Sequence, residues 1–146
     1  MKCNREDAKT RRKAFMLRIP SPLPEDLEHL VHKTIGCCID VHRVLGPGLL
    51  ESPYSKAVAI ELAEKGIAFE REKEFMVTYR GQPLCHHRID FLVEGRLLLE
   101  LKAVERVTAV HRAQIHSYLR ITRIRVGLLM NFNEVVLQDG IKRIIL

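Results

Sequence analysis

A short polar turn, Glu94-Gly95-Arg96, separates two runs that both read as β-strands, and this hairpin is the feature that most constrains the fold. The first run extends from Arg88 to Val93 and the second from Leu97 to Ala103. Successive side chains of a strand point to opposite faces, so the second run should present leucines on one face and a mixed set on the other. The middle of the chain is therefore predicted to form a sheet.

Two acidic residues become neighbours in this hairpin. A three-residue loop places Asp90 directly opposite Glu100, with Cβ atoms about 4.5–5.5 Å apart. Like charges at that separation are destabilising unless they share a proton or a cation. Lys102 shares the face of Leu98 and Glu100, which favours a cation site beside a group able to meet an anion. The alternative is that Glu100 and Lys102 are ordinary polar positions on a half-exposed edge strand.

Length and composition indicate one globular domain. The chain has 146 residues, of which 47% are hydrophobic and 29% charged. No apolar run approaches the roughly 20 residues that span a membrane. Residues 1–13 lack the apolar segment of a secretory signal, so a cytoplasmic location is expected. We predict an irregular basic leader over residues 1–24 and a single domain over residues 25–146.

The net charge of +6 is concentrated in two segments. Residues 1–13 and residues 103–125 each carry a net charge of +4. Such segments indicate a polyanionic partner such as nucleic acid. A solvated, solubilising surface is the alternative interpretation.

The remaining elements follow from apolar periodicity and turn residues. A helix is predicted from Glu25 to the breaker Gly46-Pro47-Gly48, and a second over about Leu49–Lys65. Ala68–Arg71 and Phe75–Tyr79 are predicted as one bent strand or two. The rest comprises a turn at Arg80–Pro83, a helix capped by Thr108 and extending to Ile121, a strand Val126–Asn131, a hairpin turn at Asp139-Gly140, and a last strand Ile141–Ile145. One sheet with helices packed on its faces is the expected architecture.

Two further residue pairs are candidates for a site. Gln114 and Tyr118 are four apart on the third predicted helix, and Glu51 and Tyr54 are three apart at the start of the second, so each pair shares a helical face. Taken alone, each pair fits a purely structural role in an amphipathic helix.

The motifs together resemble a known family. The segments that carry the resemblance are HRVLGPGLLESPY, RIDFLVEGRLLLELKAV, HRAQIHSYLR, GLLMNFN and DGIKRIIL, which cover roughly residues 27–146. This set is similar to the GxxExxY family of small bacterial and archaeal proteins, a group within the PD-(D/E)XK nuclease superfamily. The resemblance implies an α/β, restriction-endonuclease-like fold with a central mixed β-sheet flanked by α-helices.

The resemblance also implies roles at the hairpin. Asp90 and Glu100 would be metal ligands, and Lys102 the catalytic lysine that holds a phosphate oxygen or assists the attacking water. The cofactor would be Mg²⁺ or Mn²⁺, and a backbone carbonyl such as that of Leu101 would complete the protein ligands. Ile89 stands where the family has a proline.

Residues of the helices acquire roles by the same resemblance. Gln114 and Tyr118 match the QxxxY motif of helicase-associated exonuclease domains, and Glu51 matches an acidic residue that such nucleases carry near the metal. His42 and His111 belong to the matching segments and could contact substrate or serve as structural hydrogen-bonding groups.

The leading hypothesis is a metal-dependent nuclease that hydrolyses phosphodiester bonds, most readily of DNA. The first alternative is a non-catalytic or partner-dependent nucleic-acid-binding module that retains the nuclease fold. The second is a hydrolase of a small phosphorylated substrate. A homodimer, or a helicase or DNA-binding partner protein, is expected only by analogy.

Overall fold

The computed structural model describes residues 21–146 of the chain. Within them the α-helices are α1 (Glu25–Leu45), α2 (Glu51–Glu64) and α3 (Ala109–Thr122). The strands are β1 (Phe69–Tyr79), β2 (Gln82–Val93), β3 (Leu97–Lys102), β4 (Val126–Asn131) and β5 (Ile141–Ile145), with a 3₁₀ helix at Leu137–Gly140.

The five strands form a single mixed sheet in the order β1-β2-β3-β4-β5. Strands β3 and β4 pair in parallel, and the other neighbouring strands pair antiparallel. The two parallel strands lie in the interior of the sheet, and every residue of β4 is buried. Strands buried on both faces need continuous apolar sequence, which explains the runs that the sequence shows there. The predicted α/β fold with a central mixed sheet flanked by helices is confirmed.

Helices cover both faces of the sheet. Helices α1 and α2 pack on one face, where Leu97, Leu99 and Leu101 join their buried side chains in one hydrophobic cluster. Helix α3 packs on the other face with Leu98 and Leu129 in a second cluster. The predicted alternation of leucine faces in β3 is therefore confirmed, and Glu100 lies on the face that α3 covers.

The helix ends follow the predicted signals. Helix α1 ends at Gly46, whose φ of 65° favours glycine. The Thr108 side chain caps α3 by accepting a hydrogen bond from the His111 backbone, and His111 Nδ1 accepts from the Thr108 backbone in return. Helix α2 starts at Glu51, two residues later than predicted.

The long β1–β2 hairpin settles one open prediction. Residues 69–79 form one strand, and Glu72 interrupts its pairing with a φ of 53°. The turn is shorter than predicted, because Arg80 and Gly81 alone form it and Gln82 and Pro83 belong to β2. Positive φ values at both turn residues suit a tight two-residue hairpin.

Two other predictions concern the segment before β5 and the leader before α1. The hairpin turn predicted at Asp139-Gly140 is wrong, because both residues lie in the 3₁₀ helix that precedes β5. The leader predicted over residues 1–24 lies mostly outside the described residues, but Leu23 within it is buried in the core. Across residues 21–146, no helix combines the length and apolar character needed to cross a membrane.

Two glycines give a matched test of this packing. An added Cβ at Gly127 in β4 would lie 2.9 Å from Ile115 Cγ2 on α3, whereas one at Gly36 in α1 would have no heavy atom within 4 Å. We expect Gly127→Ala to lower the free energy of unfolding by about 1–3 kcal/mol through overpacking. Gly36→Ala should raise it by about 0.5–1 kcal/mol, because alanine favours the helix. Urea denaturation measures both effects, and equal effects would contradict the close approach of α3 to β4.

Candidate active site

The structure brings Asp90 and Glu100 together at the base of the β2–β3 hairpin. Ladder pairs join Phe91 to Leu99 and Val93 to Leu97, so the loop has the three residues 94–96 that the sequence predicts. Continuing that register by one residue sets Asp90 opposite Glu100. Because β3 lies inside the sheet, the alternative of a half-exposed edge strand is wrong.

Next to the backbone pair of Phe91 and Leu99, β2 and β3 are joined by hydrogen bonds between backbone N–H groups and carboxyl side chains. The Asp90 backbone N–H donates to Glu100 Oε1 at 3.0 Å. The Leu101 backbone N–H donates to Asp90 Oδ2 at 2.8 Å. Each carboxyl group therefore accepts a hydrogen bond from the backbone of the strand opposite its own.

The environment of Glu100 is unfavourable for its charge. Its side chain is buried, with 6% of the residue exposed. Burial, and next the charge of Asp90, raise the pKa of Glu100 from 4.5 to about 8. The hydrogen bond from the Asp90 backbone and the positive charge of Lys102 act in the opposite direction. The ionised form of Glu100 is therefore unfavourable in the folded chain.

Leu101 and Lys102 follow Glu100 at the end of β3. Lys102 ends β3, is partly exposed, and lies close enough to Glu100 to act on its pKa. The Leu101 side chain is buried in the opposite cluster, so only its backbone belongs to the site.

Tyr118 of α3 lies over the carboxylate pair. It is 6% exposed, and burial followed by the charges of Glu100 and Asp90 raises the pKa of its hydroxyl. The hydroxyl lies 3.5 Å from His87 Nδ1, and the Tyr118 ring meets Phe75 edge to face with centroids 5.4 Å apart. His87 and Phe75 are contacts that sequence reasoning missed, because their pairing with α3 depends on the twist of the β1–β2 hairpin.

Gln114 lies one helical turn before Tyr118 and is partly buried. Its spacing puts it on the same face of α3 as Tyr118, in the N-terminal half of the helix.

Glu51 occupies a different position from the carboxylate pair. It is exposed at the first residue of α2, the helix on the opposite face of the sheet from α3. Three residues later, Tyr54 is fully buried and stacks on Phe132 with centroids 4.7 Å apart. The Tyr54 hydroxyl donates to the Gly46 carbonyl at 2.5 Å and accepts from the Leu49 N–H at 3.1 Å. Tyr54 thus fixes the loop that leads into Glu51.

Three other polar side chains make hydrogen bonds with the backbone outside the carboxylate pair. His42 Nε2 lies 2.8 Å from the Glu134 carbonyl oxygen, and His111 caps α3. Asn131, fully buried at the end of β4, makes paired hydrogen bonds of 2.8 and 3.1 Å with the backbone of Val104. Sequence reasoning missed Asn131, although an amide that closes an apolar strand is a usable signal.

The donor set fits a hard divalent cation. Carboxylate oxygens are the ligands that Mg²⁺ and Mn²⁺ prefer, and Mg²⁺ commonly uses only one or two of them. A cation would also favour the ionised form of Glu100, against the burial and the Asp90 charge that raise its pKa. In the part of the chain that the structure describes, no three His, Cys, Asp or Glu side chains are grouped closely enough to hold a metal ion. Among the described side chains the acidic ligands are therefore the pair alone, and a backbone carbonyl, water and substrate would have to complete a coordination shell.

A comparison with protein families agrees with this geometry. A family model described as the PD-(D/E)XK nuclease superfamily matches residues 28–144, which include every element of the sheet and all three helices in whole or large part. No curated protein is significantly similar to the chain.

The buried glutamate predicts a distinctive pH dependence of stability. In the folded chain Glu100 keeps its proton up to about pH 8, whereas the unfolded chain loses it near 4.5. The folded state therefore binds more protons between these values, and this contribution to the free energy of unfolding falls as pH rises through them. Glu100→Gln removes the titrating group, so its stability relative to wild type should increase from about pH 5 to about pH 8.

Urea denaturation with a chelator present measures this difference. The matched control is Glu64→Gln on the exposed surface of α2, for which the difference from wild type should stay flat. A flat difference for Glu100→Gln as well would contradict the burial of an unfavourable charge at this site.

Proposed function

Because the chain belongs to the PD-(D/E)XK nuclease superfamily, we propose that it is a metal-dependent nuclease that hydrolyses phosphodiester bonds of DNA. The observation that carries the proposal is the Asp90–Glu100 pair, cross-held by the backbones of β2 and β3 with Lys102 beside it. A structural role alone gives no reason to bury a second carboxylate against the first, since uncompensated buried charge is costly.

Asp90, Glu100 and the Leu101 carbonyl would hold Mg²⁺ or Mn²⁺. Glu51, at the entry of α2, is proposed as a contact to the ion through water, because among the described residues no third acidic side chain is grouped with the pair. When bound, such an ion supplies Lewis-acid stabilisation of the phosphoryl oxygens and makes an attacking water more acidic. The burial of Glu100 limits competing water around the pair, which strengthens electrostatic interactions there.

The other residues act on the substrate. Lys102 positions the attacking water and offsets the negative charge that develops on the phosphate. Gln114 and Tyr118, on the helix above the pair, orient the phosphate. The Tyr118 hydroxyl is suited to this because its ring is fixed by Phe75 and its oxygen is within reach of His87.

The segment HRVLGPGLLESPY supports a narrower assignment within the superfamily, the GxxExxY group. In this proposal the motif works through two residues with different tasks. Tyr54 fixes the loop from Gly46 to Leu49 by its hydrogen bonds, and the loop in turn sets where Glu51 begins α2.

The basic residues between Arg106 and Arg125 supply affinity for the sugar–phosphate backbone that does not depend on base sequence. Such affinity falls steeply with salt concentration. A second copy of the chain, or a helicase or DNA-binding protein that delivers substrate, is proposed as a partner by analogy with other nucleases of the superfamily.

The test is cleavage of single- and double-stranded DNA with Mg²⁺ or Mn²⁺ by the wild type and by Asp90→Asn. We expect the substitution to reduce the cleavage rate by about 10²-fold or more, since it removes charge from the reacting centre. DNA binding should persist, and Asp139→Asn, at an exposed position of the 3₁₀ helix, should cut as well as wild type. Mg²⁺ should also raise the melting temperature of the wild type and leave that of Asp90→Asn nearly unchanged.

Different outcomes identify the alternatives. DNA binding with no cleavage by the wild type under either metal would favour a non-catalytic or partner-dependent module. Cleavage of a small phosphate ester that long DNA does not inhibit would favour a hydrolase of small substrates.

A further inference from the structure

A groove runs between α3 and the edge strand β5, apart from the carboxylate pair. It has a volume of about 420 Å³, and its walls are Arg112 and His116 from α3 and residues 141–145 from β5. Gly127 lets α3 lie close to β4, because an added Cβ there would meet Ile115 at 2.9 Å. The floor of the groove is therefore well packed, with Ile144 buried beneath it.

Among the described residues that line the groove there are cations and no carboxylate. Arg112 is exposed, and Lys142 is partly exposed on the face of β5 that α3 covers, opposite Leu129 in the ladder. Among the ion pairs formed within residues 21–146, none involves Arg112 or Lys142. Arg143 is different, because its Nη1 lies 2.6 Å from Glu28 Oε1 on α1. An anion in the groove would thus meet two cations that the described carboxylates leave uncompensated.

The groove and the candidate active site lie on opposite sides of one helix. Arg112 and His116 are four apart and share a face of α3. Tyr118 points the other way, toward His87 and Phe75 at the β1–β2 hairpin. The diameter of an α-helix with its side chains is about 10–12 Å, so the two sites are separated by roughly that distance. Each strand of a nucleic acid carries one phosphate per about 3.4 Å of helix axis, so this separation corresponds to a few nucleotides.

We propose that this groove binds the phosphodiester backbone of the nucleic acid a few nucleotides from the bond that is cut. Arg112 and Lys142 contact phosphate oxygens, and His116 adds a ring nitrogen between them. The nucleic acid passes over α3, with the bond to be cut on the side of Tyr118 and the held backbone on the side of β5. The inference rests on the proposed function for the identity of the ligand, but not for the existence of the anion site.

The binding test distinguishes a specific contribution of the groove from the effect of the protein's net positive charge. The groove variant is Arg112→Glu with Lys142→Glu, and the matched control is Lys33→Glu with Lys56→Glu. The control lysines are exposed on α1 and α2, on the other face of the sheet, and the charge change is identical. All are made in an Asp90→Asn background so that cleavage does not intervene. The measurement is fluorescence anisotropy of a labelled DNA duplex of about 20 base pairs, roughly two helical turns.

We expect the groove variant to weaken DNA binding about tenfold or more near 100 mM salt. The slope of log affinity against log salt should fall by about two, one for each phosphate that the variant no longer binds. The milder variant, Arg112→Gln with Lys142→Gln, should show a smaller loss of affinity in the same direction, which guards against misfolding of the charge-reversed chain. Equal losses for the groove variant and the control would overturn the proposal.

A second measurement uses substrate length. In a background with Asp90 intact, kcat/KM is compared for a dinucleotide, which cannot reach across α3, and for a strand of about 12 nucleotides, which can. The ratio of kcat/KM for the longer strand to kcat/KM for the dinucleotide should fall about tenfold in the groove variant. In the control this ratio should stay at the wild-type value. An unchanged advantage in the groove variant would overturn the proposal even if the chain is a nuclease.

The two proposals fail in different ways. If the wild type cleaves nothing but the groove variant loses DNA affinity selectively, the groove stands and the nuclease proposal falls. If the wild type cleaves DNA and both charge-reversed variants bind it equally well, the nuclease proposal stands and the groove falls.

Discussion

The rest of the candidate site depends on two hydrogen bonds between side chains and opposing backbone at the base of the β2–β3 hairpin. Asp90 accepts from β3 and Glu100 accepts from β2, where the regular ladder has just ended. The register of the hairpin sets the two residues opposite each other, and these contacts orient their side chains. Burial and the charge of Asp90 raise the pKa of Glu100, so its ionised form is unfavourable in the folded chain. A cation bound there would favour the ionised form of Glu100, so the pair is well suited to bind one.

Helix α3 organises the chemistry on its face of the sheet. One side of it presents Tyr118 to the carboxylates, and the other side presents Arg112 and His116 to the groove along β5. The helix can do both because its buried face is narrow, and Gly127 lets that face sit deep against β4. A rigid helix between a candidate reactive centre and a basic groove keeps the two at a fixed spacing.

Much of this arrangement follows from local sequence signals. Alternating leucines in β3, the cap at Thr108 and the three-residue loop before Leu97 all fix their elements through interactions within a few residues. Where a prediction was wrong, the cause is a contact with a residue outside the local segment. Asp139 and Gly140 resemble a hairpin turn, yet Gly140 packs against Asn131, where an added Cβ would lie 2.6 Å from the Asn131 carbonyl oxygen, and the segment forms a 3₁₀ helix.

By itself the sequence determined the register of the hairpin, and with it the opposition of Asp90 and Glu100, because strand alternation and loop length are local properties. Tertiary structure alone decided that Glu100 is buried, since its burial depends on β4 pairing in parallel and on α3 closing over β3. It also decided that His87 meets Tyr118 and that Lys142 joins Arg112 in one groove. These contacts join residues that are distant in sequence, and no local periodicity encodes the twist and helix packing that bring them together.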